Sequence, residues 1–200
     1  ADSLSLARGF REVGCVVDVI GPDQFFPKTD RSFISKVLVR LMKSFFKRQF
    51  NQHILKYARI IKPNITVVVK GNYLDVQTIL KLRDESNWLT NFYTDISLTN
   101  HSSVEVDGFK HYHHIFTTKT FGVEDYKHNL GFTKVSFLAH GCDPNVHRLV
   151  NNKLCKDWEN DVSFIGEWSK HKESILKSLK VKLPDINLKI WGNGWERNKS

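Results

Sequence analysis

The stretch DVSFIGEWSKHKESILKSLKVKLPDINLKIWGNGWE, Asp161 to Glu196, reads as strand, glycine turn, helix, strand and glycine turn. Val162, Phe164 and Ile165 form a short apolar run that stops at Gly166. Ser169 is placed to cap a helix, because its hydroxyl accepts a bond from a free first-turn amide. Ile175, Leu176 and Leu179 then recur at helical spacing. Pro184 and Asp185 break that pattern, and Leu188 to Trp191 forms a second run that ends in Gly192-Asn193-Gly194. Two strands joined by a helix run parallel through a right-handed crossover. Both glycine turns then fall at the carboxyl ends of neighbouring strands, the edge where open α/β sheets bind ligands. The Gly166 turn also leads into a helix N-terminus, whose free amides and positive dipole end suit a phosphate.

The same alternation runs back to the start of the chain. Asp2 to Val13 has a helical pattern closed by Gly14, and Cys15 to Ile20 reads as a strand. Ser32 to Ile61 reads as helical, in one piece or two, with Ile34, Val37, Leu38, Leu41 and Phe45 on one face. Lys36, Arg40, Lys43 and Lys47 mark another face. Pro63 ends this region, and the nearly all-apolar Ile65 to Val69 reads as a strand buried on both faces of a parallel sheet. It stops at Lys70-Gly71-Asn72. Val76 to Leu82 is the next helix, and Trp88 to Tyr93 the next strand, ending at Thr94-Asp95. Leu98 to Lys110 is polar and aperiodic, a loop. His114 to Phe116 and Val135 to Leu138 are further strands, with a helix from Phe121 to Asn129 between them. The fold class expected is α/β: an open, largely parallel Rossmann-like sheet over residues 1–150, a polar linker over 151–160, and an incomplete second Rossmann-like unit over 161–200.

Composition narrows the functional classes. Forty per cent hydrophobic residues, with fourteen Phe and five Trp, suffice for a packed core. No apolar run reaches membrane-spanning length. Cys15, Cys142 and Cys155 are scattered and odd in number, which points to a reducing compartment and argues against a disulfide framework or a zinc site. The sequons at Asn64 and Asn100 are read as accidental. A net charge of +9 points to an anionic partner. Nucleic acid is not expected, because the aromatics lie in apolar elements and are not interleaved with the basic residues.

The order of runs and turns resembles the GT-B glycosyltransferases of group 1 type, and within them the CgeB-like, spore-maturation branch. Ser163-Phe164-Ile165-Gly166 is similar to the opening strand of that family's donor domain, and Gly192-Asn193-Gly194 to the end of its next strand. Lys62-Pro63-Asn64, Lys70-Gly71, Thr94-Asp95 and Ala139-His140-Gly141-Cys142-Asp143-Pro144 extend the resemblance through the N-terminal part. Ala139 and Cys142 depart from the family's Pro-x-Gly-Val-Asp pattern. The resemblance implies a metal-independent transferase without a cofactor, which moves a sugar from a nucleotide-sugar to a glycan, lipid-linked or protein acceptor across a cleft between two domains. It implies that the first turn (Gly166, Glu167, Trp168, Lys170, His171 and Lys172) faces the donor diphosphate. Gly192, Asn193 and Gly194 would lie near the base. The family's first strand and its later acidic motif have no counterpart here. The chain is therefore expected to be a piece of such an enzyme, inactive alone, and located in the cytoplasm or peripherally at a membrane.

Each candidate residue has a plainer reading beside it. Asp95 is a candidate base for an acceptor hydroxyl if burial raises its pKa, or a turn cap. Lys70, Gly71 and Asn72 are candidates for holding an anionic acceptor, or make a plain strand-to-helix turn. His140 is a candidate for catalysis, or a hinge histidine. Lys170, His171 and Lys172 would neutralise the leaving diphosphate, or are a solvated first helical turn. Trp168 and Trp195 would stack on a base or sugar, or belong to the core. On a strand, His111 and His113 would share a face and His114 would point away, so no metal is expected. The face of Lys36, Arg40, Lys43 and Lys47 would dock on an anionic membrane, or is the solvated side of a core helix. The rival to the enzyme is a non-catalytic basic Rossmann-like module docking on an anionic membrane surface or nucleic acid.

Overall fold

A computed structural model describes residues 2–27, 37, 39–95, 103–148 and 160–198. Lys36, Leu38, the sequon at Asn100 and linker residues 151–159 lie outside them. The chain divides into two compact units, Ala1–His147 and Arg148–Ser200.

In the first unit, helix α1 (Asp2–Glu12) ends in paired bonds from Gly14 N–H to the Arg11 carbonyl and from Cys15 N–H to the Phe10 carbonyl. These two bonds satisfy carbonyls that a helix end otherwise leaves open. Helix α2 (Lys43–Ile61) follows a turn at Met42 and leads into strand β1 (Ile65–Val69). Helix α3 (Val76–Glu85) crosses to β2 (Trp88–Tyr93). A 3-10 helix at Val106–His111 leads into β3 (His114–Thr117), and α4 (Thr120–Leu130) crosses to β4 (Val135–Phe137). The four strands lie in the order β1-β2-β3-β4, every pair parallel, with Val69 opposite Phe92 and Tyr93 opposite Thr117. This is a Rossmann-like sheet flanked by helices. Its core gathers Leu82, Leu89, Tyr93, Phe109, Ile115 and Tyr126.

Three expectations need correction. Cys15 to Ile20 joins no ladder among the described residues. Its Val17 carbonyl accepts from the Arg11 guanidinium at 2.6 Å, and Val16 is 99 % exposed. An apolar run becomes a strand only where another strand takes up its backbone groups. Secondly, β1 is not buried on both faces. It is the edge of the sheet, and Ile65 at its start is 56 % exposed. Continuous burial belongs to the central β2, where Leu89, Thr90, Asn91 and Tyr93 are all buried. Thirdly, the polar loop is not wholly irregular, since Val106–His111 winds into a 3-10 helix and buries Phe109.

The second unit is a single parallel βαβ turn: β5 (Val162–Ile165), α5 (Lys170–Lys182) and β6 (Leu188–Trp191). Its two strands form a sheet of their own, separate from the first unit's. Ser169 caps α5, accepting from Lys172 N–H at 3.3 Å.

Candidate functional site

In the first unit the polar side chains gather at the carboxyl edge of the sheet. The turn after β1 is held in an unusual shape: Lys70 has φ 62°, Gly71 φ 95° and Tyr73 φ 65°. A left-handed conformation costs a non-glycine residue about 1–2 kcal/mol, so the surroundings must impose it. Several bonds do so. Lys70 N–H extends the ladder to the Phe92 carbonyl at 3.0 Å, and Tyr73 N–H reaches the Ser103 carbonyl at 2.7 Å. The buried Asn91 amide donates to the Lys70 carbonyl at 3.3 Å. Asn51 of α2 donates to the Tyr73 carbonyl at 2.7 Å and accepts from Asp75 N–H at 3.0 Å.

The left-handed Lys70 brings its ammonium to 3.0 Å from the carboxylate of Asp95, at the end of the adjacent strand. Two residues singled out separately in the sequence are thus one ion pair, about a third and a quarter exposed. Asn72 accepts from the Ser103 hydroxyl at 3.2 Å, so the segment before Val106 crosses the turn. Glu105 completes this strap. One carboxylate oxygen accepts from Val76 N–H at 3.0 Å and the other pairs with Lys47. Lys47 is therefore committed to Glu105, and the basic face read from the sequence is not uniformly free. Of that face, Arg40 and Lys43 are exposed, and Lys43 lies 5.6 Å from the Tyr73 ring centroid.

Beneath the turn lies a buried aromatic cluster. Tyr93, Phe109 and Tyr126 meet edge to face at centroid distances of 5.3 to 6.4 Å. Burial, and then the Asp95 charge, push the Tyr93 hydroxyl up to about 12. Burial drives Tyr112 and Tyr126 higher still, while a bond from Asn91 opposes the shift at Tyr112.

The three histidines do not share a strand face. His111 ends the 3-10 helix. His113 precedes β3, where its Nδ1 accepts from Leu89 N–H at 2.9 Å and its ring stacks on Trp88. His114 Nε2 pairs with the Ser136 hydroxyl at 2.9 Å. Burial lowers the pKa of His111 and of His114, helped by Lys110 and by Lys134 respectively. His140 is exposed in the segment after β4. Nearby Asp143 is buried and anchors that segment to α1 through Arg8 at 3.1 Å. A Ser5 hydrogen bond, then Asn145 and Arg8, hold its carboxyl below the usual range.

In the second unit the two glycine turns lie against each other. Gly166 N–H bonds the Trp191 carbonyl at 2.8 Å and Trp168 N–H the Asn193 carbonyl at 2.9 Å, which continues the ladder past the strands. A Cβ on Gly192 would stand 2.0 Å from the Gly166 carbonyl oxygen, and one on Gly166 would meet the Phe164 ring at 3.1 Å. Both indoles are tied in: Trp195 Nε1 donates to the Gly166 carbonyl at 2.8 Å, and Trp168 Nε1 to Glu173 at 2.8 Å. Lys172 donates to the Glu167 carbonyl at 3.0 Å, while Lys170 and His171 are exposed.

Sequence reasoning missed Asn91, Asn51 and Glu105, the residues that hold the Lys70 turn in place. Only Asn91 left a trace, as an amide in the middle of a buried strand. Comparison with family models, curated proteins and solved structures finds no match to this chain.

Proposed function

We propose that the chain is the acceptor-side domain and the opening of the donor domain of a GT-B glycosyltransferase that uses a nucleotide-sugar. The observation that carries the reading is the pair of abutting glycine turns at the carboxyl ends of β5 and β6, set before the capped N-terminus of α5. Bare backbone admits a diphosphate closely, and the amides of the first helical turn point towards it. Lys170, His171 and Lys172 then neutralise charge as the nucleoside diphosphate leaves, with Gly166, Glu167 and Trp168 as the floor. Gly192, Asn193 and Gly194 border the base.

The acceptor binds at Lys70, Gly71 and Asn72. Lys70 turns from Asp95 to an anionic group of the acceptor, and Asp95 then takes the proton of the attacking hydroxyl. Titration with a nucleoside diphosphate tests the donor half. A charge-assisted bond contributes about 1.5–3 kcal/mol. Lys170→Ala or Lys172→Ala should therefore weaken binding roughly ten- to a hundredfold. Unchanged affinity in both variants and in Gly166→Val would remove the donor site from this turn, and with it the main support for the family.

A second reading draws on the exposed Arg40 and Lys43: a non-catalytic basic module docking on an anionic membrane. Vesicle binding that survives charge reversal at both positions excludes this face as the docking surface, and no binding to anionic vesicles excludes the reading.

A further inference from the structure

Two of the hollows on the described surface differ in how they are walled. The larger, about 520 Å³, is lined by side chains of α5 alone and has a single wall. The smaller, about 360 Å³, has two walls, with Ser44, Arg48 and Gln52 from α2 facing Gln77, Thr78 and Lys81 from α3. We propose that this second groove is an anion site that takes a phosphate or diphosphate group.

The two helices are tied together at both ends, and the groove lies between. At their starts Glu105 links Lys47 of α2 to the Val76 amide of α3. Towards their ends Arg59 pairs with Glu85 at 3.1 Å. The acids around the groove are thus already engaged. Glu105 and Glu85 hold these ties, and Asp75 accepts the Thr78 amide at 2.7 Å as the cap of α3. Arg48 and Lys81 are different. Both are exposed cations on facing walls, and neither has a hydrogen-bond or ion-pair partner among the described residues. The carboxamides of Gln52 and Gln77 and the Ser44 hydroxyl add uncharged donors between them.

A phosphate fits this set. The Arg48 fork can engage two of its oxygens, Lys81 serves as a point charge, and the carboxamides reach the remaining lone pairs. The volume is that of a small-ligand cleft and accommodates a diphosphate. No aromatic side chain lines the groove, which disfavours stacked nucleobases. The site lies wholly in the first unit and does not rest on the donor proposal, which concerns residues of the second.

Such a group arrives either on a soluble metabolite or as a lipid headgroup, and one experiment with two arms separates them. In the first arm the isotope-labelled chain is titrated with inorganic pyrophosphate and followed by NMR. Saturable shifts are expected at the Gln52 and Gln77 side-chain amides. Arg48→Ala with Lys81→Ala should weaken the response roughly tenfold or more. In the second arm phosphatidylcholine vesicles with and without phosphatidic acid are sedimented with the chain. Binding that requires phosphatidic acid, Arg48 and Lys81 assigns the groove to a lipid headgroup. A pyrophosphate response without vesicle binding assigns it to a soluble phosphate. If neither probe engages these residues, or if the double variant binds both as the parent does, the groove is not an anion site.

Discussion

Gly131 and Gly192 both have positive φ, but for different reasons. Gly131 ends α4 at φ 62°, and a Cβ there would meet nothing within 4 Å. Gly131→Ala should therefore destabilise by the conformational term alone, about 1 kcal/mol. Gly192 has φ 141°, and its Cβ would overlap the Gly166 carbonyl. Strain and overlap then add, and Gly192→Ala should cost at least about 3 kcal/mol. Hydrogen exchange of the β5 and β6 amides distinguishes the two, with exchange faster than the parent's expected for Gly192→Ala only. The buried tyrosines make a second test. Tyr93, Tyr112 and Tyr126 all have hydroxyls raised above the ordinary value of 10.0, chiefly by burial. Above pH 10 the unfolded chain loses these protons while the folded chain keeps them. Stability is thus complete below about pH 10 and falls as pH rises towards 12 and beyond, by about 1.4 kcal/mol per unit for each tyrosine. Alkaline unfolding followed by circular dichroism should coincide with the rise of tyrosinate absorbance. Tyrosine ionisation well before unfolding would contradict the burial.

At the scale of elements, α3 starts well because two carboxylates serve its first amides. Asp75 accepts from Thr78 N–H, and Glu105 accepts from Val76 N–H. Glu105 also pairs with Lys47, yet the two partners are not of equal weight. Glu105→Ala removes a cap and an ion pair, whereas Lys47→Ala removes only a partly exposed ion pair. Losses of about 1–2 kcal/mol and below about 1 kcal/mol are expected. Urea midpoints of the two variants check the order, and equal losses would mean that the cap contributes nothing. Among the described residues, sequence periodicity located each of the paired strands, because period and turn residues are local. It placed Cys15 to Ile20 among them wrongly, because the presence of a pairing strand is not local information.

Over the whole molecule, the two units differ in how much they bury. Among the described residues the first has a core cluster of fourteen buried apolar residues, while in the second only Leu176 is buried. A two-stranded sheet backed by one helix is marginal alone. Amides of β5 and β6 should therefore exchange faster than those of β2, which approach the global limit. Comparable protection in the two sheets would show that the second unit is stabilised by more than its own packing.

The sequence alone determined the α/β class, the parallel crossovers and the positions of the turns at Lys70, Thr94, Gly166 and Gly192. Each of these follows from the spacing of apolar residues and from where glycine or a polar pair interrupts it. Tertiary structure decided the rest. It made β1 an edge and β2 the centre, because strand order depends on which ladders close. It turned Lys70 and Asp95 into a pair, because only the parallel register of β1 and β2 sets their ends side by side. It sent His113 to Leu89 and His114 to Ser136, and it engaged Lys47 with Glu105 across fifty-eight residues of chain. Charge and burial act through space, and no spacing within the sequence encodes those distances.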